Sequence, residues 1–220
     1  MRNYGWLIHS QPYRLNILGV RSNSTRPNSF DDTIHVFYTD ERGRWRLHSW
    51  RCTTDPGTYW LHSPMHPQGT AILKTGQYHS YGVAKHRGKY WALCQIKGKV
   101  TVVRDYNRDS NLDFRNGREM EGHFGINIHR ASSYGTTKEV ERYSAGCQVF
   151  ANATDFEAFM RLCEGHRQRY GNAFTYSLLD LRSVRRAKAR KVAGWVALGV
   201  GIGALGVLGY AWYNVKPDKQ

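Results

Sequence analysis

The sequence predicts a mostly β domain, with one or two helices, followed by a C-terminal transmembrane helix. Of the 220 residues, 22 are glycine, 14 are tyrosine and 7 are tryptophan, a composition that favours strands and turns over a helical bundle. A hydrophobic fraction of 40% is enough for a core without covalent staples. We expect a β-rich domain over residues 1–181, a basic segment over 182–191, a transmembrane helix over 192–215 and a short tail over 216–220.

Short runs rich in β-branched and aromatic residues, bounded by turn residues, predict the strands of the domain. The first three are expected at 15–21, 33–38 and 45–51, with a turn at 40–43 between the last two. Glycine and proline delimit the remaining strands, which are expected at 69–74, 89–96, 99–104 and 174–179.

One helix is expected at residues 155–170. Thr154 followed by Glu157 fits a capping box at its start, and Gly171 fits the glycine that often ends a helix. Four apolar residues at helical spacing predict its buried stripe: Phe156, Phe159, Met160 and Cys163.

The transmembrane prediction rests on the 24 uncharged residues 192–215. As a helix they would span roughly 36 Å, which exceeds a hydrocarbon core of ~30 Å. Trp195 lies near one end and Tyr210, Trp212 and Tyr213 lie near the other, as interfacial aromatic residues do. We therefore expect a single-pass anchor that contacts membrane lipid.

Glycines recur within this span at Gly199, Gly203 and Gly206. Such a strip permits close approach of helices, so self-association through the transmembrane helix is one interpretation. The other is that glycine is simply common in membrane helices.

The net charge of +15 is unevenly distributed along the chain. Residues 182–191 carry six basic residues, whereas residues 1–181 hold 24 basic and 16 acidic residues, a net +8. The spread of that +8 would attract any polyanion, and no specific nucleic-acid site is expected. The basic segment favours a cytoplasmic domain by the positive-inside rule.

The four cysteines show no CxxC or metal-ligand spacing, so neither a disulfide framework nor a zinc site is expected. No metal and no cofactor is predicted. Residues 105–113 place oxygen-bearing side chains at every second position, like part of a calcium loop. Ser110 and Asn116 occupy the positions of that loop's glycine and glutamate, so a polar turn is the alternative.

Residues 124–150 hold the candidate chemistry. Phe124, Ile126 and Ile128 alternate with Asn127 and His129, which predicts a strand whose His129 is available on the face opposite the core. Asn127 could orient His129 by a hydrogen bond.

A separate aromatic and basic group could line a binding groove or simply pack a β-surface; it comprises Tyr78, His79, Tyr81 and His86.

The second part of that chemistry is Cys147, which ends a turn of small residues, Ser144, Ala145 and Gly146. Their backbone N–H groups, with that of Cys147, could converge on an oxyanion. His129 would take the thiol proton, and a neighbouring imidazolium would lower the pKa of Cys147.

The order of a histidine, a loop and Ser-x-Gly-Cys resembles the catalytic motif of the L,D-transpeptidase (YkuD-type) family, on His129, Ser144, Gly146 and Cys147. The resemblance implies a β-sandwich and acyl transfer on peptidoglycan stem peptides. By it, Cys147 is the nucleophile, His129 the general base and the backbone of 144–147 the oxyanion hole. Sortases also run from histidine to cysteine to arginine, but they usually separate the first two much further.

Three positions depart from the motif. Ala145 replaces the family's second histidine, residues 130–131 are Arg-Ala where Gly-Thr is usual, and residues 148–150 are Gln-Val-Phe. A hydrolytic relative that cuts stem peptides is therefore a second outcome. The alternative is a non-enzymatic, membrane-tethered basic β-domain that binds cell-wall polymer or nucleic acid. Peptidoglycan lies outside the cytoplasm, whereas the positive-inside rule favours a cytoplasmic domain, so the side of the membrane on which the domain lies is left open. A phage lysis or virion-associated enzyme would reconcile the substrate with the orientation.

Overall fold

A computed structural model describes residues 4–114 and 117–182 of the chain. Eleven strands and two helices make up most of this part, so the mostly β prediction is confirmed. The strands are β1 (Asn16–Arg21), β2 (Asp32–Thr39), β3 (Trp45–Thr53), β4 (Thr70–Leu73), β5 (Gly76–His86), β6 (Tyr90–Gln95), β7 (Val100–Asp105), β8 (Glu119–Gly122), β9 (Ile128–Arg130), β10 (Gln148–Phe150) and β11 (Phe174–Asp180). The helices are α1 (Thr58–His62) and α2 (Ala153–Tyr170).

Eight of these strands close into a barrel in the order β1-β11-β5-β6-β9-β10-β3-β2, and β4, β7 and β8 form a separate three-stranded sheet. This differs from the expected sandwich of two facing sheets. The ring closes because β1 pairs with both β2 and β11, which leaves neither end of the sheet free. Two of its pairings are parallel, β1 with β11 and β9 with β10.

Helix α2 packs its aromatic side chains against the barrel. The ring of Phe159 lies 5.0 Å from that of Phe150 on β10 and 6.2 Å from that of Trp50 on β3. Phe156 and Cys163 are buried with them, while Met160 is only partly buried. The predicted stripe is thus confirmed at three of its four positions, and it packs against strands β3 and β10 of the barrel.

The start of α2 corrects one prediction. Asn152, not Thr154, caps the helix: its backbone is extended and its Oδ1 accepts the N–H of Asp155 at 3.1 Å. Gly171 ends the helix as expected, with φ +81° and its N–H donated to Arg167 O at 3.0 Å. Asn152 precedes Asp155 by three residues, the same spacing that favours Thr154 with Glu157 as a cap in the sequence.

Several elements were not predicted: α1, β8, β10 and above all β5, the longest strand at 11 residues. Of the strand expected from the alternation at 124–129, only Ile128 and His129 belong to a strand, β9. The predicted basic segment, apart from Arg182, lies outside the described residues, as do the transmembrane helix at 192–215 with Gly199, Gly203 and Gly206, and the tail. Within residues 4–114 and 117–182, no helix has the length and apolar character needed to cross a bilayer.

Candidate functional site

The parallel pair β9 and β10 brings His129 and Cys147 to the same part of the molecule. His129 is paired with Val149, and Cys147 lies two residues before Val149. Asn127 connects the two strands: its N–H donates to Cys147 Sγ at 3.4 Å, and its carbonyl accepts the Gln148 N–H at 2.8 Å. Cys147 itself lies just before β10, and its thiol donates to Gly125 O at 3.4 Å.

The turn before Cys147 is fixed by hydrogen bonds within the turn and by one from the residue that precedes α1. Ser144 Oγ donates to Cys147 O at 2.8 Å and accepts the Gly146 N–H at 3.1 Å. The carbonyl of Ser144 accepts the N–H of Gly57, the residue that precedes α1, at 2.9 Å. Gly146 has φ +119°, and a Cβ there would lie 2.2 Å from Ala71 O. The turn therefore requires glycine at 146 for both reasons.

The backbone donors near the thiol are only partly as expected. The Gly146 N–H is occupied by the Ser144 hydroxyl. Within the described residues, the N–H groups of Ala145 and Cys147 have no hydrogen-bond acceptor. These two groups are therefore the donors that an oxyanion could use.

His129 is buried, with 4% of its surface exposed, so the prediction that it is available to solvent is wrong. Neighbouring side chains cover the face that the alternation pattern assigned to solvent. Its Nδ1 lies 2.8 Å from Arg130 O, and because a carbonyl only accepts, Nδ1 carries the hydrogen. The remaining nitrogen, Nε2, is then the basic one.

Burial sets the charge of this histidine. It lowers the pKa of His129 to about 3, helped by the nearby His86 and Arg87. His129 is therefore neutral at pH 7, with its basic lone pair on Nε2. A neutral imidazole is the form that can accept a proton.

The thiol of Cys147 is likewise in its neutral form. Burial raises its pKa, while the Asn127 N–H and the charge of Arg87 act in the opposite direction. This differs from the expected thiolate stabilised by an imidazolium, because His129 carries no charge to stabilise it. Cys147 is partly exposed, whereas the other three cysteines are buried.

Within the described residues, the Asn127 side chain makes no hydrogen bond to His129, so the expected orienting bond is not formed. Its Oδ1 accepts the Gln95 N–H at 2.9 Å, and its Nδ2 donates to His86 Nδ1 at 3.1 Å. His86, the last residue of β5, stacks its ring on that of His129 with centroids 4.3 Å apart and planes at 21°. Sequence reasoning noticed His86 but, without β5, could not place it.

Residues 105–113 form a polar turn with hydrogen bonds between its own side chains. Asn107 Nδ2 donates to the carboxylates of Asp109 and Asp113, and Asp105 accepts the Asp113 N–H. In the part of the chain that the structure describes, no group of three or more His, Cys, Asp or Glu side chains is arranged to hold a metal ion.

Comparison with known proteins leaves these residues to be interpreted on their own geometry: no protein-family model matches the chain, and neither does any curated protein or solved structure.

Proposed function

We propose that the protein is a cysteine-dependent enzyme that transfers or hydrolyses the acyl group of peptidoglycan stem peptides, as its resemblance to the L,D-transpeptidase (YkuD-type) family implies. The observation that supports the proposal is the pairing of β9 with β10, which brings the chain segments that carry a partly exposed thiol and a neutral histidine next to each other. The barrel with its separate sheet would then be a divergent form of that family's β-sandwich catalytic domain.

The neutral charge states define the order of the proposed chemistry. As Sγ of Cys147 forms a bond to the carbonyl carbon of the acyl donor, its proton passes to Nε2 of His129. The carbonyl oxygen becomes an oxyanion, which the N–H groups of Cys147 and Ala145 would stabilise. The C–N bond of the donor then breaks, and the imidazolium returns its proton to the leaving amine.

The thioester so formed has two outcomes. Attack by a second amine transfers the acyl group and gives a cross-link, whereas attack by water hydrolyses it. In either case His129 takes a proton from the attacking group and returns it to Sγ, which restores the neutral pair.

The membrane and the wall polymer enter this proposal as partners. The predicted helix at 192–215 would anchor the domain in lipid, and the net +8 of residues 1–181 would favour an anionic polymer such as the cell wall.

The first test compares the full-length protein with Cys147→Ala on purified muropeptides, with products separated and weighed by mass spectrometry. We expect wild type to form cross-linked or shortened peptides and Cys147→Ala to form none. Cys94→Ala is the matched control, because Cys94 is buried and has no part in the proposed chemistry. Identical product profiles for wild type and Cys147→Ala would exclude the enzyme.

Thiol labelling separates the enzyme from a non-enzymatic wall-binding domain. Iodoacetamide should label Cys147 first, because the other three thiols are buried. The rate at pH 7 should fall in His129→Gln if the imidazole takes the thiol proton. A rate independent of His129, with polymer binding retained in Cys147→Ala, would instead support the binding domain.

A further inference from the structure

Two histidines from different strands are in contact at the candidate site. In the barrel order β5-β6-β9, a single strand separates β5 from β9, and His86 at the end of β5 reaches across it to stack on His129. The exposed fractions are 8% for His86 and 4% for His129, so little water reaches either ring. At 4.3 Å between centroids and 21° between planes, the rings are in offset face contact.

Asn127 fixes His86 in this contact. Since Asn127 Oδ1 accepts the Gln95 N–H, its amide nitrogen is the end that faces His86, and the 3.1 Å bond makes His86 Nδ1 the acceptor. The backbone N–H of the same asparagine donates to Cys147 Sγ. One residue therefore connects the second imidazole to the nucleophile.

The charged groups around the two rings are basic. Arg87 follows His86 in the turn after β5, and Arg130 follows His129 on β9 and lies 4.5 Å over the ring of Tyr90 on β6. The hydroxyl of Tyr90 lies 3.5 Å from His129 Nδ1. Helix α2 contributes the apolar Phe156 behind Tyr90, and the turn before β10 contributes the Cys147 thiol.

Among the described residues, no carboxylate is one of the charged groups that act on either ring. Protonation of both rings would therefore put two like charges in face contact beside two arginines, in a site that excludes water. Burial and Arg87 also lower the pKa of His86. The pair is stable when both rings are neutral, and each ring opposes the protonation of the other.

We propose that His86 is a positioning residue for His129: its ring, held by Asn127, fixes the plane of the His129 imidazole and keeps Nε2 free to accept the thiol proton. This inference rests on the proposed function for its catalytic consequence, whereas the contact itself can be tested without any activity. His86 touches neither the nucleophile nor, in this scheme, the substrate.

The test uses the full-length chain in detergent micelles with ¹⁵N-labelled histidine, as wild type, His86→Ala and His86→Phe. His79→Ala is the matched control, because His79 also belongs to β5 but is exposed and bonds Thr175 instead. The ¹⁵N shifts of the His129 ring are followed from pH 7 to pH 4. We expect His129 to stay neutral over this range in wild type and His79→Ala, and to become protonated in His86→Ala.

His86→Phe keeps a stacking ring without a nitrogen, so it tests the two parts of the contact separately. With muropeptides, His86→Ala should lower kcat about tenfold or more, since small misplacements of a base are costly, while KM changes less than about twofold. His86→Phe should recover part of that loss, and it also serves as the folded comparison if His86→Ala does not fold.

An unchanged His129 titration in a folded His86 variant would overturn the inference, whatever the activity. If the His129 titration shifted in the His86 variants but even the wild-type protein had no activity, the proposed function would be refuted. The contact between the histidines would still be supported.

Discussion

Replacing Gly146 with alanine should damage both the stability of the domain and the nucleophile turn. At φ +119° an L-residue stores about 1–3 kcal/mol of backbone strain. A Cβ 2.2 Å from Ala71 O cannot be accommodated, so the turn or β4 must move, which costs about as much again. We expect a loss of about 4 kcal/mol in the free energy of unfolding, or about 10 °C in Tm for a domain of this size.

The matched control is Gly135→Ala. Gly135 also has a positive φ, +63°, but a Cβ there would meet no atom within 4 Å, so only about 1 kcal/mol of left-handed strain is expected. Urea unfolding followed by tryptophan fluorescence gives both values under one condition. If Gly146→Ala proved as mild as Gly135→Ala, the close approach of the turn to β4 would be refuted.

Two further predictions concern groups away from the thiol. Leu15 N–H donates to Nδ1 of buried His166, and burial lowers the His166 pKa from 6.5 to about 4. The neutral ring therefore favours the folded state fully above pH 6.5. That contribution to the free energy of unfolding is lost as the pH falls towards 4, by up to about 3 kcal/mol. Urea unfolding at pH 7 and pH 4.5 should show a smaller acid-induced loss in His166→Gln, and an equal loss would contradict it. Arg21 is buried with its Nε 2.8 Å from Asp55, so Arg21→Met should cost about 3–5 kcal/mol, whereas exposed Arg44→Met should cost little.

The local signals of the sequence were sufficient for elements that carry their own pattern. The strand pair β2 and β3 was predicted from alternation and the turn between them, and α2 from its apolar stripe and Gly171. Strand β5 has no such pattern: its first half mixes glycine, glutamine, tyrosine and histidine. It becomes a strand because β11 and β6 pair with its two sides, which is tertiary information.

The candidate site was likewise predicted only in its local features. The sequence placed His129 and Cys147 near each other, because the loop between them is long enough to return the chain. It could not give the exposure of His129, since period-two alternation names two faces and does not say what covers the second. His86 covers it from a strand that was not predicted. A second imidazole thus reaches the site from β5, although the position of the second histidine in the resembled motif is Ala145.

The neutral pair has a consequence for when the thiol would react. A thiolate paired with an imidazolium is reactive before any substrate arrives, whereas here burial raises the pKa of Cys147 and lowers that of His129, so proton transfer between them is uphill at rest. The uncommitted N–H groups of Ala145 and Cys147 can offset that cost only when an acyl oxygen accepts from them. Reactivity of Cys147 would therefore be highest with the acyl group in place, and a small alkylating reagent, which leaves the donors empty, should react far more slowly than a substrate while still depending on His129.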